Sequence, residues 1–493
     1  MKTIKRVAIA NRGEVAVRII RACEELGLET LLLHSDVDSQ SRAFRMATKK
    51  ICIGPASTAL SYLNIEANIN AALAGGADAV HPGFGFLSEN ADFAAACEKN
   101  GLIFIGPTAQ AIRTLGDKVH FKALARHAGL PLIPGYEGDD QSAENLLVQV
   151  EKIGLPVIVK AAAGGGGRGM KLINSMSEAK DAIESAQREA LSAFGSEKVF
   201  LEKYLGHAKH IEFQIFGDST GHVMHLFDRE CSVQRRHQKI IEEATSPSLT
   251  EDLRRKMGEV ACAIATLGKY TNAGTVEFLL QDNQFYLLEV NTRLQVEHPV
   301  TEEVMGVDLV KMQILTASGN FVFHPQDIRM PKGHSIECRV YAENPFQGGM
   351  PSTGKLGIVT WPEGPRRRFE YGFDSGDTIT AHYDPMIAKV IVWDENRPRA
   401  IQKMIRTLKD SVVFGVHTNI PYLIEILDHE EFRSGKMTTR FIESHFADGI
   451  KSATSDEKVK TWAKLIKKQV SSSPVKFQSG TTASPWNSQW RGV

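Results

Sequence analysis

The 493-residue sequence predicts a multidomain chain of α/β and α+β type. Three observations lead there. The first hundred residues alternate short apolar runs with helix-spaced stretches, the pattern of a doubly wound α/β domain. The middle of the chain carries β-rich runs joined by tight turns. The last third returns to short strands with glycine and proline turns, followed by helices. The chain divides accordingly into an N-terminal doubly wound α/β domain over 1–114, a central domain over 115–330, a C-terminal mixed α+β domain over 331–447 and a tail over 448–493.

Residues 4–10 read as a strand, Arg12 to Leu26 as a helix and Glu29 to His34 as a second strand, a βαβ opening. The turn between them, Asn11-Arg12-Gly13-Glu14, is not the glycine fingerprint of a dinucleotide site. Strands follow at Ala77–Val80 and Leu102–Ile105, with helices at Asn64–Ala74 and Asn90–Lys99. His81 to Asn90 is a glycine-punctuated loop at the carboxyl end of a strand, where such folds hold ligands, although its residues alone read first as a structural turn. Gly129-Leu130-Pro131 and Pro134-Gly135 punctuate the entry to the central domain, which has strands at Leu155–Lys160, Val199–Glu202 and His210–Phe216. Helices at Arg399–Leu408 and Ile420–Leu427 close the C-terminal domain. In the Ser- and Lys-rich tail, Val459, Trp462, Ile466 and Val470 keep helical spacing, which fits a docking helix and a solvated terminal helix equally.

Charge and cysteine usage narrow the function classes. Acidic and basic residues balance at 58 each, so no global field favours nucleic acid or a membrane surface as partner. Six scattered cysteines without a CxxC pair argue against zinc and for a reducing compartment. The N-terminus has only a four-residue apolar run before charge returns, so the expected location is cytoplasmic.

The most informative segment is the run from Glu289 to Glu297. Glu289, Asn291, Arg293, Gln295 and Glu297 recur at every second position, so one extended strand would present them all on one side, with Val290, Leu294 and Val296 turned into apolar packing. Upstream, Thr275–Leu280 and Phe285–Val290 read as a hairpin. A three-residue loop over Asp282–Gln284 makes opposite residues sum to 566 and sets Glu277 across from Glu289. Their Cβ atoms would lie about 5 Å apart. Two such carboxylates repel unless a cation sits between them, and magnesium, with the Asn291 carbonyl as a further ligand, fits.

Two further segments carry chemistry. Strand 155–160 ends in Lys160 and runs into Ala161-Ala162-Ala163-Gly164-Gly165-Gly166-Gly167-Arg168-Gly169, a loop able to fold over phosphates with its backbone N–H groups; it is not a Walker A, and its position between two strands disfavours a linker. Gln234-Arg235-Arg236-His237-Gln238-Lys239 is a basic run without the aromatic interleaving of a nucleic-acid patch.

Together, Lys160 with its glycine loop, the paired Glu277 and Glu289, the Glu289–Glu302 run, Gly116-Asp117-Lys118, Gln234–Lys239 and Glu337-Cys338-Arg339-Val340-Tyr341-Ala342-Glu343 resemble the ATP-grasp superfamily and, within it, biotin carboxylase, over roughly residues 3–445. The resemblance implies that the central domain is an ATP-grasp domain holding ATP through Lys118, Lys160, Gly166, Gly167, Glu202, Lys203, Tyr204, Leu205, His210, Gln234, His237, Glu277 and Glu289, with Mg2+ or Mn2+ at Glu277, Glu289 and Asn291. It implies bicarbonate in a pocket of Lys239, Arg293, Gln295 and the Val296 backbone, Glu297 as the base, and Arg339 beside the biotin ureido oxygen. The product would be carboxybiotin, formed by way of carboxyphosphate.

No Ala/Val-Met-Lys-Met segment is present, so biotin is expected on a separate biotin carboxyl carrier protein, with carboxyltransferase subunits as further partners and a homodimer as the assembly. Met437 to Glu443 resembles the corresponding part of pyruvate and longer acyl-CoA carboxylases, and the Ser-Pro-Trp…Trp-Arg ending is similar to acyl-CoA carboxylase chains, which together imply an acyl-CoA acceptor, acetyl-CoA or another, with pyruvate as the alternative. Another ATP-grasp carboxylate–amine ligase would need an amine pocket in place of Arg293 to Glu297 and Arg339. A non-catalytic nucleotide-binding regulator would lack a ligand or base, and every such position is filled.

Overall fold

The computed structural model describes residues 3–161, 170–194, 196–218, 220–236, 238–320, 329–447 and 449–450. The opening pattern forms five parallel strands, β1 (Arg6–Ile9), β2 (Glu29–Ser35), β3 (Lys49–Gly54), β4 (Ala79–His81) and β5 (Ile103–Phe104), in the order β3-β2-β1-β4-β5. Helices α1 (Gly13–Glu25), α2 (Ile65–Ala74) and α3 (Ala91–Lys99) complete the doubly wound layer, and Asn64 and Asn90 cap α2 and α3 by accepting from the third residue on. Strand order reverses between β1 and β4, so the loops after them flank one crevice. Asn11 Nδ2 ties the two loops, donating to the carbonyls of Pro82 at 2.6 Å and Phe84 at 2.7 Å.

A small antiparallel sheet, β6 (Gly135–Tyr136), β9 (Val199–Lys203), β7 (Val157–Ala161) and β8 (Met170–Ile173) in that spatial order, packs on α4 (Ala143–Ile153) and α5 (Met176–Phe194) through Leu146, Val150, Val157, Val159, Ile173 and Ile183. The larger sheet positions the site. It contains β10 (Lys209–Gly217), β11 (Val223–Arg235), β12 (Gln238–Ala244), β13 (Asn272–Gln281), β14 (Gln284–Asn291), β15 (His334–Tyr341), β16 (Arg367–Tyr371) and β17 (Met386–Asp394). Their order, β14-β13-β10-β11-β12-β15-β17-β16, carries the sheet across position 331 without a break, Ile241 pairing with Cys338 and Glu242 with Glu337. Helices α6 (Glu251–Leu267) and α7 (His298–Met305) cover one part of it, α8 (Arg397–Asp410) and α9 (Ile420–Asp428) the other. The described residues up to Ile450 form one compact unit.

Two sequence expectations need correction here. The hairpin loop is the two residues Asp282 and Asn283, with φ of +52° and +61°, and Gln281 pairs with Gln284. Both residue types tolerate the left-handed region that such a turn requires. Opposite residues then sum to 565 as far as Phe278 and Leu287, where a β-bulge adds Leu288 and restores Glu277 opposite Glu289. The pairing stands, by a different route. The long strand over 289–297 does not form: β14 ends at Asn291, and 292–297 is a loop that feeds α7.

Candidate functional site

Four adjacent strands carry one row of chemistry. Arg229 on β11 pairs with Glu212 on β10, Glu212 with Glu277 on β13, and Glu277 with Glu289 on β14, so cross-strand register alone lines up a guanidinium and three carboxylates. Arg229 is fully buried and bonds Glu212, Gln214 at 2.8 Å, Thr301 at 2.9 Å and Thr275 at 3.0 Å. It anchors the row from beneath. Lys239 on β12 sits above it, its Nζ 2.5 Å from Glu212, 2.9 Å from Glu277 and 2.7 Å from Glu297.

The bend after Asn291 does what an extended strand was expected to do. Arg293 donates to Glu89 at 2.8 Å, to the Gln295 side-chain oxygen at 2.7 Å and to the Asn291 side-chain oxygen at 3.0 Å, while the Gln295 amide reaches Glu277 at 3.4 Å. Glu297, the residue before α7, accepts from Lys239 on one oxygen and from Arg339 of β15 on the other, at 3.0 Å. Arg339 also donates to Glu242 at 2.6 Å. Val290 and Leu294 are buried as expected, whereas Val296 is half-buried and lines a cavity.

Electrostatics follow from burial against pairing. Burial pushes the Glu277 and Glu297 carboxyls up, but Lys239, with His210 on the first and Arg339 and Arg229 on the second, outweighs it and holds both well below the usual range. Burial opposes the Lys239 ammonium, and Glu212, Glu277 and Glu297 more than compensate, raising it well above an ordinary lysine. Glu242 goes the other way: burial pushes it up to about 7, Arg339 pulling against this.

Two cavities open on this centre. One, of about 700 Å³, is lined by Lys160, Glu202, Lys203, Tyr204, Leu205, His210 and Gln234 together with Ile158, Met170, Leu279 and Leu288, an apolar slot with polar groups at its end. Lys160 forms an ion pair with Glu202, which also accepts from Lys122 at 2.8 Å. The Lys203 ammonium donates to the carbonyls of Gly154 and Leu155 at 2.9 and 2.6 Å. His210 reaches Glu277 at 3.0 Å and Gln234 at 3.0 Å. The second cavity, of about 750 Å³, is lined by Asn11, Phe84, Gln238, Arg293, Val296, Arg339, Tyr341 and His382, and lies against the crevice between the loops after β1 and β4.

Lys118, at the start of the helix Lys118–His127, lies outside both cavities and meets Glu289 at 3.1 Å. Glu277 and Glu289 face each other across the hairpin but have different partners, Glu277 the Lys239 ammonium and the His210 ring, Glu289 the Lys118 ammonium. With the Asn291 side-chain oxygen two pairs further along, the donor set is all hard oxygen and suits Mg2+ or Mn2+. His210, Glu212 and Glu277 also bring ligand atoms within 4.8 Å of one another. Gly166, Gly167, His237 and the tail over 451–493 fall outside the described residues.

Sequence reasoning missed Glu89, Glu212, Glu242 and Lys389. Glu89 had a signal in its loop at the end of a strand, and it bonds both the Arg293 side chain and the Thr292 backbone. Glu212 alternates with His210 and Gln214 on β10, a polar face inside an otherwise apolar strand. Among the described residues no helix is long and apolar enough to cross a membrane, and all six cysteines are free.

Comparison with known proteins agrees with this geometry. Residues 3–112 match the family "Biotin carboxylase, N-terminal domain", 117–322 "Carbamoyl-phosphate synthase L chain, ATP binding domain" and 337–444 "Biotin carboxylase C-terminal domain". The chain is 46% identical to the biotin carboxylase of Allochromatium vinosum over 89% of its own length and 98% of the relative. It is also 46% identical to the mitochondrial methylcrotonoyl-CoA carboxylase subunit alpha of Glycine max, over 93% of its own length, and it spans 63% of that relative. Among solved structures, the biotin carboxylase domain dimer of Hydrogenobacter thermophilus 2-oxoglutarate carboxylase, in complex with MgADP, ADP and bicarbonate, superposes with a TM-score of 0.82 at 43% identity, covering 90% of this chain and 98% of that one. Three successive family matches, near-complete coverage of a bacterial relative and a three-part fold converging on one carboxylate row lead to a single assignment: the chain belongs to the biotin carboxylase family.

Proposed function

We propose that the protein carboxylates biotin, at the expense of ATP, with bicarbonate as the carbon source. The observation that carries this reading is Glu297, whose two oxygens accept from Lys239 on the nucleotide side and from Arg339 on the side of the second cavity. A single carboxylate thus joins the two halves of a two-stage reaction.

ATP lies in the cavity of Lys160, Glu202, Tyr204, Leu205, His210 and Gln234, with its phosphates towards Lys160 and towards the Glu277 and Glu289 pair, beside which Lys118 stands. Glu277, Glu289 and Asn291 hold Mg2+ or Mn2+, which when bound neutralises phosphate charge. Lys239, Arg293, Gln295 and the Val296 backbone orient bicarbonate, the planar guanidinium matching a planar oxyanion. Glu297 takes the bicarbonate proton while a bicarbonate oxygen attacks the γ-phosphorus, so that ADP leaves and carboxyphosphate forms. Carboxyphosphate then splits into CO₂ and phosphate. That phosphate removes the proton of the ureido nitrogen, the nitrogen attacks CO₂, and Arg339 faces the oxygen that carries the developing charge.

The supporting relatives extend the reading. Biotin is presented by a biotin carboxyl carrier, carboxyltransferase subunits use the carboxybiotin, and the acceptor is an acyl-CoA, in line with the methylcrotonoyl-CoA carboxylase relatives, of which this chain spans about three-fifths. A homodimer is supported by the Hydrogenobacter domain dimer. We place the enzyme in the cytoplasm, with functional divisions at 1–114, 115–330, 331–447 and 448–493. The test is ADP release by the purified chain. It should require bicarbonate and rise with free biotin, and turnover indifferent to both overturns the reading.

A further inference from the structure

We propose that Lys389 is a positioning residue for the bicarbonate half of the site: from beneath, it fixes the peptide that joins Val296 to Glu297. The inference rests on the reading of Val296 and Glu297 as the bicarbonate pocket. Lys389 lies on β17 and is the direct cross-strand partner of Arg339 on β15. Its side chain has no exposed surface. The ammonium donates to the Val296 carbonyl at 2.8 Å, stands 3.3 Å from Glu14 at the start of α1 and lies 5.7 Å from the centroid of the Phe84 ring, in the loop after β4. One charge therefore ties together the C-terminal strands, the start of α1, the loop after β4 and the segment that carries the base.

The geometry says what the contact does. A peptide unit is planar, so the Val296 carbonyl and the Glu297 N–H turn as one body. Holding that oxygen sets the direction in which the chain enters α7, and with it where Glu297 begins. Glu297 must meet Lys239 at 2.7 Å and Arg339 at 3.0 Å with its two oxygens, an arrangement that tolerates little rotation.

Counter-ion duty is the competing account, and it is the weaker one. Burying an ammonium is unfavourable unless it is paired, and a methionine would fill the same space without that cost. The carboxylates within its influence are poor partners: burial pushes Glu14 up to about 7 and holds Glu337 well above the usual range, Lys389 acting against both. The carbonyl is the shorter contact. What the charge secures is a strong hydrogen bond to a backbone oxygen.

The experiment compares Lys389→Met, Glu14→Gln and the double variant in bicarbonate-dependent ADP release with free biotin, using the full chain, with thermal unfolding measured alongside. Lys389→Met should raise the KM for bicarbonate by about tenfold, corresponding to about 1.4 kcal/mol, and leave the KM for ATP near wild type. Glu14→Gln should leave both constants near wild type. The double variant, which no longer buries an unpaired carboxylate, should regain stability while keeping the raised bicarbonate KM. Recovery of the bicarbonate KM in the double variant, or equal rises in both KM values, overturns the proposal. Wild-type ADP release indifferent to bicarbonate would instead overturn the reading on which it rests.

Discussion

In the proposed reaction, Glu297 and Arg293 divide the labour of the site between bond making and orientation. Glu297 is fully buried and held ionised by Lys239, Arg339 and Arg229, so replacing it with glutamine keeps the volume but removes the charge and the basicity and turns one of its two accepting oxygens into a donor. Glu297→Gln should lower bicarbonate-dependent ADP release by about 10²- to 10⁴-fold, the usual worth of a positioned base, while ADP binding measured by calorimetry stays near wild type. Among the described residues the partners of Arg293 are Glu89, Asn291, Gln295 and the Leu294 carbonyl, none of which lines the cavity proposed for the nucleotide. Arg293→Ala should therefore impair carboxylation far more than ATP binding, and equal losses in both would count against the division. Arg293, Gln295 and Glu297 could be singled out from spacing. Glu89 could not, because its pairing with Arg293 spans 204 positions in sequence and depends on how two domains dock.

At the level of elements, the hairpin of β13 and β14 shows how a correct pairing can rest on a wrong loop. The expected three-residue loop and the observed two-residue loop differ by one, and the bulge at Leu288 adds that one back. The turn was misjudged because Asp282 and Asn283 favour the left-handed region about as readily as a longer loop, and a bulge has no signature in alternation alone. The bulge also has a use. Leu288 joins Leu279 in the wall of the cavity proposed for the nucleotide while Glu289 still faces Glu277. Deleting Leu288 should give a regular hairpin with the carboxylate pair intact and the wall thinned. ADP affinity should fall by about tenfold, matching about 1.4 kcal/mol from a lost leucine contact, with the bicarbonate KM little changed. A larger loss for bicarbonate than for ADP would refute that role.

Across the whole molecule, buried carboxyls of opposite tendency shape the response to pH. Glu14 has its folded-state value raised to about 7 by burial, against about 4.3 when unfolded. Its contribution is therefore full below about pH 4.3 and is lost as pH rises through about 7. Glu243 is lowered to about 2, because Arg397 and His334 outweigh the effect of burial, so its contribution is present above about pH 4.3 and lost as pH falls through about 2. Relative to wild type, the melting temperature of Glu14→Gln should rise from about pH 5 to about pH 8, because the variant has no carboxyl to ionise in the interior. A difference that stays flat over that range would contradict the assignment. The sequence by itself determined the opening βαβ unit, the hairpin and the Glu277 and Glu289 pair, because all of these are written in local periodicity and residue chemistry. Only the tertiary structure decided that β14 stops at Asn291, that Lys239 and Arg339 grip Glu297 from two sides, and that Lys389 reaches Val296. Those contacts depend on the order of eight strands in one sheet and on the docking of the N-terminal crevice against it. Strand order is settled by burial summed over segments far apart in the chain, and no local pattern encodes it.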